Sequence, residues 1–176
     1  MPITLRNIAH AVWATQNIAT YTQEAVYERA RILQKKRIIR STDGSFNGDD
    51  EAVDSFHRIT GLHLDHETRR GVTTTYTEAD AAFAALALIA SLNGTSWTVL
   101  EVMDIQLRSS RMFEQHMTFI RAGVPLFVRA DIGLGGVDVR IGGVELPAAN
   151  MRPGVTQTLL WPVSALASPV LSLLVK

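Results

Sequence analysis

The chain contains no cysteine. Disulfides, thiolate nucleophiles and cysteine-ligated metals are thereby excluded, and the composition fits a reducing compartment. Net charge is missing too, since 17 Lys plus Arg balance 17 Asp plus Glu. No global field draws the protein to nucleic acid or an anionic membrane, so any such binding must come from a local patch. The two most apolar stretches, 79–92 and 163–175, are both shorter than the roughly 20 residues a membrane-spanning helix needs. The opening MPITLRNIAH lacks the basic start and apolar run of a secretory signal. We expect a cytoplasmic protein (host cytoplasm if viral) with no membrane partner.

Catalytic signatures are also absent. There is no GxSxG nucleophile elbow, no HExxH and no glycine-rich phosphate loop. The GLGG at 133–136 lacks the lysine of such a loop and lies between two apparent strands, so it reads as a hairpin turn. His57, His63 and His66 share a polar segment with Asp65 and Glu67, and they read as surface histidines rather than metal ligands. His57 with Asp54 or Asp65 is the one cluster that could serve acid–base work. The expectation is a protein that is not an enzyme and holds no metal or cofactor.

What the chain does have is enough apolar residue, 47% of 176, to build a packed core. Leu5, Ile8, Ala9 and Val12 form one helical stripe, with Thr4 as cap, over 5 to about 13. A second helix is predicted from about 23 to 36, capped by Thr22, with Val26, Ala30 and Leu33 inward. Residues 69–76 are β-branched and read as a strand after a basic turn. Thr77 and Asp80 approximate a capping box for EADAAFAALALIASL, a helix apolar on nearly all sides. A further helix is predicted over about 97–117. The period then changes to two. Val128, Ala130 and Ile132 alternate with Arg129 and Asp131, and Val137, Val139 and Ile141 with Asp138 and Arg140. Gly142-Gly143 reads as a second turn leading into Val144-Glu145-Leu146, and another strand covers 155–161. Pro169 is expected to interrupt any helix in the tail 164–175. The three tryptophans are read as core anchors. The apolar C-terminus either completes the core or covers a neighbouring subunit, and the small β region before it favours the subunit contact. The fold class is α+β: an N-terminal helical (winged) helix-turn-helix module, central helices and a C-terminal antiparallel β region.

Neutrality conceals charge blocks. Residues 24–40 hold two acids and six bases, whereas 41–54 hold five acids and no base. A short apolar helix, a polar turn and a second helix with cationic outward positions is the layout of a helix-turn-helix. The candidate DNA-binding residues are Gln23, Tyr27, Arg31, Gln34, Lys35, Lys36 and Arg37, with Arg69 and Arg70 at the tip of a wing. The turn between the helices is longer than a compact helix-turn-helix has, and an ordinary amphipathic helix with a solvated basic face gives the same pattern.

YERARILQKKRII (27–39), RRGVTTTYT (69–77) and EADAAFAALALIASL (78–92) resemble the winged helix-turn-helix proteins of phage and prophage origin, and the layout is similar to phage small terminase subunits. The resemblance covers about 4–92. It implies a module at 1–77 that recognises double-stranded viral DNA, a helical core or oligomerisation segment at 78–118 and a β-rich region at 119–176. It further implies a homo-oligomer that engages the large terminase subunit in packaging. The alternatives are a winged helix-turn-helix transcription regulator with a C-terminal dimerisation or effector region, and an interaction factor that binds no nucleic acid.

Overall fold

A computed structural model describes residues 2–16, 20–41, 74–109, 111–149 and 152–175. Among them the fold is α+β, with helices leading and an antiparallel sheet near the C-terminal end. A two-residue strand β1 (Ile3–Thr4) precedes α1 (Leu5–Thr15) and α2 (Gln23–Lys35). Strand β2 (Thr75–Tyr76) pairs with β1 in the register Ile3↔Tyr76 and leads into α3 (Glu78–Leu92). Helices α4 (Trp97–Ser109) and α5 (Met112–Arg121) follow. Then come β3 (Phe127–Gly133), β4 (Gly136–Gly142), α6 (Glu145–Ala148), β5 (Val155–Pro162) and α7 (Val163–Leu174).

Helix α3 is the axis of the molecule. Its capping box is complete: Thr77 Oγ1 accepts from the Asp80 amide at 3.1 Å and Asp80 Oδ2 accepts from the Thr77 amide at 3.2 Å. Every residue from Asp80 to Leu92 is buried. The seven alanines and serines among these let neighbouring helices approach closely, and α1, α2, α4, α5 and α7 all pack around it. One apolar core runs from Leu5 to Leu171.

Strand β3 lies between β4 and β5, antiparallel to both. Val128 and Ala130 face the helices, and the edge amide of Val139 on β4 donates to Gln106 Oε1 of α4 at 2.6 Å. The opposite face of β3 is polar and nevertheless buried. Arg129 and Asp131 are 2% and 3% exposed. Arg129 Nε donates to Asp131 at 2.8 Å, and Arg129 Nη1 donates to the carbonyls of Leu146 and Ala149 at the end of α6. These bonds satisfy polar groups that would otherwise be costly to bury.

Several sequence readings are corrected. The helix expected over 97–117 is two helices, because Arg111 adopts a left-handed conformation (φ 52°) that interrupts the helical backbone. The stretch after the Gly142-Gly143 turn is a short helix, Glu145–Ala148, with Val144 at its N-cap. Pro169 does not break α7. The acceptor deprived of its amide is the Ala165 carbonyl, and both residues lie on the exposed side, where the carbonyl is open to solvent. The buried face of α7 (Val163, Ala167, Val170, Leu171) packs into this chain's own core, while Leu173 and Val175 stay exposed. Of the tryptophans only Trp161 is buried, whereas Trp13 is 36% exposed and its Nε1 donates to the Tyr21 carbonyl at 3.1 Å.

Candidate nucleic-acid interface

Thr22 caps α2, its Oγ1 accepting from the Ala25 amide at 3.2 Å. Glu24 in the first turn and Lys35 in the last complement the helix dipole. Val26, Ala30 and Leu33 make the one buried stripe. The 3.6-residue repeat then distributes the remaining side chains over three more stripes.

The outward stripe carries Glu24, Glu28, Arg31 and Lys35, all exposed. Arg31 Nη1 donates to Glu28 Oε1 at 2.8 Å, and this bond with the Glu28 charge raises the arginine's pKa further. One flank carries Tyr27 and Gln34. The Arg6 guanidinium lies 5.1 Å from the Tyr27 ring, and Gln34 Nε2 donates to the Tyr76 hydroxyl at 2.9 Å. Gln34 therefore ties α2 to β2. The other flank carries Arg29 and Lys36, seven residues apart, and both rest on the Trp97 ring, at 5.5 and 4.9 Å from its centroid. Gln23 is exposed in the first turn, and Arg37 is exposed just beyond the last. Arg69 and Arg70, the wing-tip residues, lie outside the described residues, as do His57, His63 and His66.

The sequence therefore located the helix but not the partition of its cations. Among the described residues, Arg29, Lys35 and Lys36 have no carboxylate partner, whereas Arg31 does. Arg29 was missed. Its spacing from Lys36 marks one face, but Trp97, which gathers the two, comes from α4 and is invisible to local pattern.

The chain leaving α2 is held by a polar network. Arg40 Nη2 donates to Asp104 at 2.8 Å. Arg108 Nη2 donates to the Arg40 carbonyl at 2.7 Å and to Asp80 at 2.8 Å, so α3, α4 and the segment after α2 meet at one guanidinium. Burial pushes the Asp104 carboxyl up, against the pull of Arg40 and Arg108, and the same burial pushes Arg108 down. No group of three or more potential metal ligands occurs among the described residues. No helix among them is long and apolar enough to cross a membrane.

Burial drives the Tyr76 pKa up to about 12, against the lowering effect of the Gln34 hydrogen bond. A phenol raised in the folded state contributes stability that is complete below the unfolded value near ~10 and is lost as pH rises through the folded one. Ultraviolet difference titration of the protein against Tyr76→Phe should show the missing phenol ionising near 12. A difference signal already complete at pH ~10 is the opposite result.

The chain matches no family model, no curated protein and no solved structure.

Proposed function

We propose that this is a non-catalytic DNA-binding protein that lays α2 against a duplex. One observation carries the reading. The apolar stripe of α2 is used up by packing on the core, while the half-buried Arg29 and the exposed Lys35 and Lys36 have no carboxylate partners among the described residues. Such cations suit phosphate contacts, which supply affinity and register. Arg31 on the outward stripe suits a base edge in a major groove, by exchanging Glu28 for guanine.

Within that reading a transcription regulator acting as a small oligomer is favoured. Helix α3 is buried along nearly its whole length in its own chain, which leaves it little free side for a subunit contact. The second reading is genome packaging by a small-terminase-like ring that engages a large subunit.

Fluorescence anisotropy with a mixed-sequence duplex, run between about 50 and 200 mM salt, tests the proposal. Affinity that falls linearly on a log–log salt plot is expected. Absence of binding at the low-salt end overturns it in favour of an interaction protein without nucleic acid. Light scattering on the same samples separates a dimer from a ring.

A further inference from the structure

Cations rest on the rings of Tyr27, Phe83 and Trp97. The first two contacts also have a carboxylate. Arg6, on Tyr27, lies 3.9 Å from Glu24. Arg108, on Phe83, donates to Asp80 at 2.8 Å. The Trp97 ring is different. It gathers two cations, Arg29 at 5.5 Å and Lys36 at 4.9 Å from its centroid, and neither has a carboxylate partner among the described residues. Trp97 is the first residue of α4, whose first turn holds no acid. Glu101, one turn further along, forms no ion pair with either cation.

We infer that Trp97 is a positioning residue for DNA binding: its ring holds Arg29 and Lys36 ready as a pair that grips the phosphate backbone. The inference rests on the DNA-binding reading of α2. Packing alone does not ask for this arrangement. Two like charges drawn to one ring repel each other, and a polyanion laid across them turns that repulsion into attraction. Long cationic side chains on an open helix face sample many rotamers, and ordering them opposes binding. A ring that holds both in place moves that ordering into folding. The ring comes from α4 and the cations from α2 and its cap, so the pair exists only where the two helices are packed together.

A double-mutant cycle tests the role. Binding of a mixed-sequence duplex is measured for the parent, for Trp97→Leu, for Arg29→Gln with Lys36→Gln, and for all three changes together, with a Tm for each. Trp97→Leu should weaken binding roughly 5- to 30-fold at low salt, the worth of two cation–π contacts. It should keep most of the salt slope, because both charges remain. In the glutamine background the same change should weaken binding no further. Trp97→Phe, a ring that cations bind less well, should fall between the parent and the leucine variant, and its own cycle replaces the leucine one if Trp97→Leu does not fold. A parent protein that binds DNA, with Trp97→Leu binding equally well, overturns the role of Trp97 and leaves the DNA reading standing. A loss just as large in the glutamine background does the same, since Trp97 then acts on something other than the two cations. A parent protein with no salt-dependent binding overturns both.

Discussion

Replacing Asp131 with alanine is expected to destabilise the fold by about 3–5 kcal/mol, the usual cost of stranding one member of a buried ion pair. Asp131 accepts from Arg129 Nε at 2.8 Å, Thr158 Oγ1 at 2.7 Å and Arg140 Nη2 at 2.6 Å. Without it the Arg129 guanidinium, 2% exposed, keeps only the carbonyls of Leu146 and Ala149. The Tm should fall by roughly 6–20 °C in calorimetry or thermal circular dichroism. The double replacement Arg129→Met with Asp131→Leu should recover a large part of that loss, because no buried charge remains. A single variant within about 1 kcal/mol of the parent would show that the charge escapes to water and that the polar face is not sealed.

The same carboxylate sets an acid limit. Burial alone would push it up, but hydrogen bonds from Arg129, Thr158 and Arg140 outweigh that and hold it below the ordinary range. A carboxyl lowered in the folded state contributes stability that is complete above the unfolded value near ~3.9 and is lost as pH falls through the folded one. Asp104, raised by burial, works in the opposite direction. The Asp131 share is therefore read as the difference between the parent and Asp131→Asn. That difference should shrink as pH falls below ~4 and stay constant above it.

The elements legible in the sequence were those whose neighbours did not matter. The capping box at Thr77 and Asp80, the stripe of α2 and the period-two strands are all local, and the structure has each of them. The polar face of β3 is different. Alternation says only that Arg129 and Asp131 share a side, and a covering helix 17–20 residues away decides that the side is dry. The break between α4 and α5 was hidden because a left-handed arginine leaves the spacing of apolar residues nearly undisturbed. At the candidate interface, sequence gives which side chains leave α2 but not what they meet. Gln34 reaches Tyr76, Arg31 reaches Glu28, and Arg29 and Lys36 reach Trp97. Two of those partners lie more than 40 residues away in the chain.

That partition leads to the largest expected effect on binding. Replacing Arg29, Lys35 and Lys36 together with glutamine keeps the side-chain stems and removes three charges that have no carboxylate partner among the described residues. If each neutralises one phosphate, the salt slope should fall by about 2.7. Affinity at low salt should fall roughly 100- to 1,000-fold, at about tenfold per charge-assisted contact. The loss should be uniform across duplex sequences, since phosphates carry no base identity. Glu28→Gln should act oppositely. It frees Arg31, which Glu28 now holds at 2.8 Å, and removes a negative charge from the stripe facing the duplex. Tighter binding is expected, with a change in sequence preference if Arg31 then reaches a base edge. The glutamine triple tests the flank and the end of the helix, and Glu28→Gln tests its outward stripe. A triple variant with the parent's Tm and salt slope would take the DNA face off α2 altogether, and an unchanged Glu28→Gln would confine α2 to backbone contacts.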